Sequence, residues 1–203
     1  DREMPECQTN FVRCDDYQGG YIAGKHLLEL GHRHFLYLPG PKYNLSQTRR
    51  YAGIMDALSE ANVPASNIRE IDYHTVFGSS AESTSSYKPY EELFFPVNYT
   101  AVIGFNDLQS YSAMEILQKK GYRIPEDISL ISFDHLRKTH TYLPPLTSIA
   151  DNSEKSIADT AVSILLDKIR NPSSEISSEV LPVSIFDDHT TGPINETFAH
   201  SFE

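Results

Sequence analysis

Two buried strands on either side of one amphipathic helix, the run TAVIGFNDLQSYSAMEILQKKGYRIPEDISLISFD from Thr100 to Asp134, constrain the fold of this chain more than any other stretch. Ala101 to Phe105 is short and almost wholly apolar, as a parallel strand covered on both faces must be, and it stops at Asn106 and Asp107. Asp107 is placed to cap the helix that follows. In that helix Leu108, Tyr111, Ala113, Met114, Ile116 and Leu117 fall mostly on one stripe, and Gly121 ends it. Ile128 to Phe133 is the second strand and ends at Asp134. Strands joined in this way run parallel with a right-handed crossover, so Asn106 and Asp134 emerge at one sheet edge. That carboxyl edge is where open α/β sheets take ligands.

The rest of the chain repeats the alternation. Phe11 to Cys14 reads as a short strand, and Asp15 and Asp16 lead through Gly19 and Gly20 into a helix that reaches about Leu30 and stops at Gly31. His34 to Pro39 is another buried strand, followed by a helix from Ser46 to Ala61 with Tyr51, Ile54, Met55 and Leu58 on its apolar stripe. Ile68 to Tyr73 is a weaker strand, and Ser85 to Phe94 reads as a helix. Beyond the central unit come a strand from Leu146 to Ala150, an amphipathic helix from Ser153 to Arg170 and a single last strand from Val180 to Phe186. The tail TTGPINETFAHSFE has no apolar periodicity and is expected to be flexible. Strand-helix alternation of this kind predicts an α/β fold with a doubly wound parallel sheet.

Composition removes several functions. The chain carries 17 basic and 28 acidic residues, a formal net charge of −11, so these 203 residues offer no basic face for nucleic acid. No apolar run approaches the roughly 20 residues of a membrane-spanning helix, and the first ten residues have neither the basic nor the apolar region of a signal peptide. Cys7 and Cys14 are too few for a disulfide framework and lack zinc spacing, so they read as free thiols of a reducing, cytoplasmic compartment. Gly19 to His26, GGYIAGKH, spells a phosphate loop only as far as its lysine, because His26 stands where the magnesium-binding hydroxyl belongs. His32 and His34 read as surface histidines beside a strand and not as metal ligands. With no nucleophile elbow and no Cys–His signature, neither an enzyme nor a cofactor or metal site is expected.

The runs DDYQGGYIAGKHLLELGHRHFLYLPGP from Asp15, RYAG from Arg50, FND from Phe105, GYRIPEDISLISFD ending at Asp134 and PPLTSI from Pro144 resemble the LacI/GalR family of transcriptional regulators in order and spacing. The likeness covers about Asp15 to Phe186, and CDDYQGG is further similar to the arabinose-repressor subgroup. It implies the effector-binding domain of such a regulator, a fold of the periplasmic-binding-protein type I kind in which two α/β lobes close on a sugar. On that likeness the chain divides into a remnant of the amino-terminal lobe and crossover (1–30), a complete carboxyl-terminal lobe (31–150), a helix returning to the amino-terminal lobe (151–175), a final strand (176–190) and the flexible tail (191–203). The expected molecule is amino-terminally truncated, with an exposed apolar patch where the missing half-lobe would pack. A homodimer is implied as well, with operator DNA bound only through an absent amino-terminal domain. The alternative on the same fold is a periplasmic sugar-binding protein of a transporter.

The ligand residues follow from the likeness, position by position. Arg50 and Ser46, four apart on one helix, match an arginine that grips ligand oxygens and a nearby hydroxyl; by pattern alone Arg50 reads first as a solvent-facing helix residue. Asp134, at a strand end, matches a carboxylate that accepts hydroxyl groups, and Asn106 a residue that both donates and accepts; each also reads as a cap or turn residue. Tyr73 stands where relatives stack an aromatic on the ligand, although unaided it reads as core. Asp151 and Asn152 are hinge-side candidates, and Asp1 corresponds to an amino-terminal-lobe contact. Two positions depart from the family pattern: His135 replaces a common acidic residue, and Asp188 stands where an arginine is usual near the last strand. An aromatic, an arginine and an aspartate together suit a pentose, a hexose or a purine.

Overall fold

A computed structural model describes residues 9–71 and 90–200. The strands are β1 (Phe11–Cys14), β2 (Phe35–Leu38), β3 (Ile68–Glu70), β4 (Ala101–Gly104), β5 (Ser129–Phe133), β6 (Ser148–Asp151), β7 (Ser178–Leu181) and β8 (Val183–Phe186). The helices are α1 (Asp16–Glu29), α2 (Leu45–Glu60), α3 (Asp107–Lys119), α4 (Ile157–Arg170) and the short α5 (Glu196–Ala199). Among the described residues six strands form one sheet in the order β3-β2-β4-β5-β6-β8, parallel throughout except for β8. A separate two-stranded parallel sheet pairs β1 with β7.

The six-stranded sheet is doubly wound because its strand residues alternate between two apolar faces. Phe35, Tyr37, Ile103, Ile131 and Phe133 point to the side covered by Ala23 and Leu27 of α1 and Ile54 and Leu58 of α2. Leu36, Leu38, Val102 and Leu130 point to the other side, against Ala113 and Leu117 of α3 and Phe94, Tyr99 and Leu146. Helices α1 and α2 meet almost backbone to backbone. A Cβ on Gly20 would lie 2.0 Å from the Arg50 carbonyl oxygen, and one on Gly53 would lie 2.1 Å from that of Tyr17. Above this contact the phenol of Tyr17 donates to Asp56 and that of Tyr21 to Glu60, both at 2.6 Å.

Several expectations are corrected. The single last strand is two strands in two sheets: Pro182 has no N–H to donate to a ladder, and the chain passes at that residue from β7 to β8. The helix expected from Ser153 starts at Ile157, where Ser156 and Asp159 form a capping box. The strand expected to reach Tyr73 ends at Glu70, and of the helix expected from Ser85 the described part is a 3-10 turn, Tyr90–Phe94. Asn106, with an extended backbone, caps α3 by accepting from Gln109 N–H; Asp107 is the first helical residue and is buried. Within the segment assigned to an amino-terminal-lobe remnant and crossover, 1–30, the described residues hold β1, which joins β7, and α1, which packs with α2 on the six-stranded sheet.

The described part of the tail, 190–200, is laid onto the lobe. Thr190 is buried and its hydroxyl donates to the Leu130 carbonyl, while Ile194 N–H donates to Leu30 and Phe198 packs edge-on to Tyr122. The contacts that place it are single residues and scattered hydrogen bonds, which carry no period to read. His32, expected on the surface, is 1% exposed. Its Nδ1 lies 2.9 Å from the Thr100 hydroxyl, and its Nε2 lies 2.9 Å from the Ser129 hydroxyl and 3.0 Å from the Gly192 carbonyl, tying the tail to two strand starts. Burial pushes its pKa down to about 4, so the ring is neutral. At the departures from the family pattern, His135 stacks on Phe186 at 4.4 Å and Asp188 accepts from Arg137 at 2.9 Å, so the altered residues have partners.

Helix α4 lies across β1, and a groove of about 280 Å³ between them is lined by Phe11, Val12, Ile157, Ala161, Ile164 and Leu165. Among the described residues nothing covers the side of α4 away from β1, with Val162 54% and Ile169 65% exposed. No helix of the described residues is long and apolar enough to cross a membrane.

Candidate functional site

The chain passes between the two sheets at three places, after β1, between β6 and α4, and at Pro182. A cleft of about 440 Å³ lies at this junction. Its floor is apolar, with Phe133, Ile149 and Val183, and its polar groups arrive from different elements: Asp15 and Asp16 at the start of α1, Arg50 on α2, Asp134 after β5 and Asp151 at the end of β6. The cleft therefore sits at the carboxyl edge that parallel topology assigns to ligands.

Arg50 is its centre. The close approach of Gly20 and Gly53 sets α1 against α2, and the side chain of Arg50 reaches the first turn of α1. There Nε donates to Asp16 Oδ1 at 2.9 Å, in a pair whose side chains are 10% and 2% exposed. Nη1 donates to the Phe105 carbonyl at 2.6 Å, and Nη2 lies 3.5 Å from Asp134 Oδ1. The guanidinium also packs over the rings of Phe133 and Phe105, with centroids 4.4 and 5.0 Å away. A long, flexible cation is thus held in one orientation.

Asp134 adopts φ +99° and His135 φ +49°, a left-handed pair at a strand end. Non-glycine residues cost energy in that region, and such strain collects at ligand sites, where it aims a side chain. Here it turns the Asp134 carboxylate into the cleft. Desolvation by the cleft walls raises the pKa of Asp134, Arg50 pulls it back, and Asp107 and Asp16 add to the rise. Asp107 lies just behind, accepting from Leu136 N–H at 2.7 Å and from the Ser148 hydroxyl at 2.8 Å. Its pKa too is raised by burial, against those two hydrogen bonds. Burial, with the neighbouring Asp16 and Asp151, pushes the Cys14 thiol up to about 11, so it stays protonated.

Of the residues expected from sequence, Arg50, Asp134 and Asp151 line the cleft together. Asp151 has one oxygen engaged by the backbone N–H and hydroxyl of Ser153. Ser46 stands in the first turn of α2 and Asn106 caps α3; neither lines the cleft. Asn106 spends its carbonyl oxygen on the helix. Asn152 is exposed and its N–H donates to the Pro182 carbonyl. Tyr73 and Asp1 lie outside the described residues. Sequence reading missed Asp16, which read only as one of two acids leading into a helix, and Phe133, which read as strand core. The pair Asp15-Asp16 carried the signal, since only one acid is needed to cap a helix and Asp15 does so. Among the described residues no three His, Cys, Asp or Glu side chains come together as a metal-holding set.

Residues 25–191 match the family model of the periplasmic binding protein-like domain. The chain is 35% identical over 178 residues to the HTH-type transcriptional repressor PurR of Escherichia coli O139:H28, across 86% of this chain and 50% of that protein. It thus spans about half the length of the curated relatives it matches. Among solved structures it is similar to a LacI family transcriptional regulator from Enterococcus faecium with bound ribose, at 27% identity and a TM-score of 0.77, over 96% of this chain and 70% of that one. A dimeric Lac repressor gives 25% identity and a TM-score of 0.70, over 91% and 64%. The chain belongs to the periplasmic binding protein-like domain family, in the form carried by LacI/GalR regulators.

Proposed function

We propose that this chain is the effector-binding part of a LacI/GalR-type transcriptional regulator, acting in the cytoplasm as a sensor and not as an enzyme. The observation that carries this reading is Arg50, fixed by Asp16 and two phenylalanine rings and facing Asp134 across an apolar-floored cleft. A sugar presents hydroxyls that donate and accept and a ring face that is weakly apolar; the cleft offers an arginine donor, an aspartate acceptor and an aromatic floor. Arg50, Asp134 and Asp151 are the ligand-facing residues of this reading, and Ser46, Asn106 and Tyr73 are further candidates on the family likeness alone. Closure on the ligand favours one arrangement of a homodimer over another by differential affinity. Contact with operator DNA falls to a helix-turn-helix domain outside these 203 residues. The repressor names of the relatives favour this reading over a transporter's sugar-binding protein.

Titration calorimetry of the chain with a panel of neutral pentoses and hexoses tests the reading. Arg50→Met, which keeps the length of the side chain and removes its donors, is expected to weaken binding by about 10- to 100-fold. Absence of heat with every sugar, or unchanged affinity in the variant, sinks it.

A further inference from the structure

We propose that Asp16 sets the charge selectivity of the cleft, tuning it for uncharged polyhydroxyl ligands and against phosphorylated or acidic ones. The inference rests on the sensor reading above and goes further by assigning a ligand class and the residue that determines it.

Counted by formal charge over the described residues, the cleft is acidic: Asp15, Asp16, Asp134 and Asp151 face Arg50 and Lys138, four carboxylates against two cations. Among the described residues Arg50 is the only cation inside the cleft, and all three of its nitrogens are directed at acceptors within the protein. Lys138 is exposed at the rim. An arriving phosphate would therefore meet a guanidinium already engaged on both sides by carboxylates. A hydroxyl meets no such obstacle, because it can accept from a remaining N–H of Arg50 and donate to Asp134 at once, whereas a phosphate dianion can only accept.

Asp16 is the member of this set that cannot turn away. It is 3% exposed, its Oδ1 holds Arg50 Nε, and its Oδ2 is buried with no hydrogen-bond partner among the described residues. It is the first residue of α1, where the helix dipole favours a negative charge. A buried carboxylate with one oxygen unsatisfied projects a field that solvent does not quench. Asp16 is thus a positioning residue for Arg50 and a standing repulsion toward anions, the kind of built-in penalty by which a site rejects the wrong ligand. Its carboxylates do not gather into a cation cage either, since no metal-holding set occurs among the described residues.

The test titrates the chain with ribose and glucose and with ribose 5-phosphate and glucose 6-phosphate, at about 0.05 M and about 0.5 M salt. The expected result is a neutral sugar bound at least about tenfold more tightly than its phosphate at low salt, because like charges across an interface are strongly disfavoured. The gap should shrink several-fold at high salt while the neutral affinity holds still, as screening acts on the repulsion alone. Asp16→Asn keeps an acceptor for Arg50 Nε and removes one charge; it is expected to narrow the neutral-to-phosphate ratio by about tenfold. A merely structural role would lower both affinities together and leave the ratio fixed, which overturns the proposal. If the variant fails to fold, the salt dependence of the unaltered chain decides. A phosphorylated sugar bound as tightly as its parent at low salt overturns the selectivity while leaving the sensor reading intact, and binding of neither class overturns both.

Discussion

The six-stranded lobe and the two-stranded layer are made from the same ingredients, parallel strands and an amphipathic helix, and differ in what covers them. In the lobe each apolar face has a partner: α1 and α2 close one side and α3 the other, and Leu36, Val102, Ile103 and Leu130 are wholly buried. In the layer, α4 has one buried residue, Thr160, and presents Val162, Leu165, Leu166 and Ile169 to solvent although its stripe is the cleanest in the chain. Amphipathicity thus shows that a helix has something to bury and not whether this stretch of chain supplies the surface to bury it against. Stability should be concentrated in the lobe, with the layer a weakly held appendage.

The same truncation made in both regions tests this most severely. Ile103→Ala removes an aliphatic group with no exposure and should cost about 4 kcal/mol in urea unfolding, whereas Ile169→Ala should change stability by less than about 0.5 kcal/mol. Comparable losses at the two sites would mean that α4 is covered in solution.

The second test is acid. The folded lobe holds His32 neutral with a pKa of about 4, while the unfolded ring titrates near 6.5. Between those values the unfolded chain takes up a proton that the folded one refuses, so stability falls as pH drops through this window, by up to about 3 kcal/mol. Asp107 and Asp134, whose pKa values are raised, act in the opposite sense, since protonating them favours the folded state. The His32 contribution is therefore read as the difference in pH profile between the parent and His32→Gln, which should lose the slope. An identical slope in the variant would remove His32 as the clasp of the tail. The smallest expected effect is Leu165→Ser on α4: stability within about 0.5 kcal/mol of the parent, with reduced binding of a hydrophobic dye.

The lobe was also the more legible region. Buried strands ending in Asn106 and Asp134, a helix stopped by Gly31 and another by Gly121 are written in local chemistry, and both glycines take the positive φ that such stops require. Pro182 was visible as a residue but not as a boundary, because a proline in an apolar run marks a break without saying that the two halves join different sheets. Asn106 and Asp107 are both good caps, and only the backbone angles separate them. His32 and the tail were illegible because their partners, Thr100, Ser129 and Gly192, lie between 68 and 160 residues away. In the cleft, family likeness located Arg50 and Asp134, whereas Asp16 became apparent only once the approaches of Gly20 to Arg50 and of Gly53 to Tyr17 brought α1 within reach of α2.

The pairing of β1 with β7 joins residues 167 positions apart, as the bond from Ser177 N–H to the Asn10 side chain illustrates. At a synthesis rate of roughly 5 to 20 residues per second, β1 leaves the ribosome about ten seconds or more before its partner exists. Throughout that interval the lobe can fold, since its first five sheet strands lie between the two, while β1 has yet to meet β7. The layer that brings the last wall to the cleft is thus the last to be built, and a newborn molecule owns the arginine and the aspartates before it owns the finished pocket.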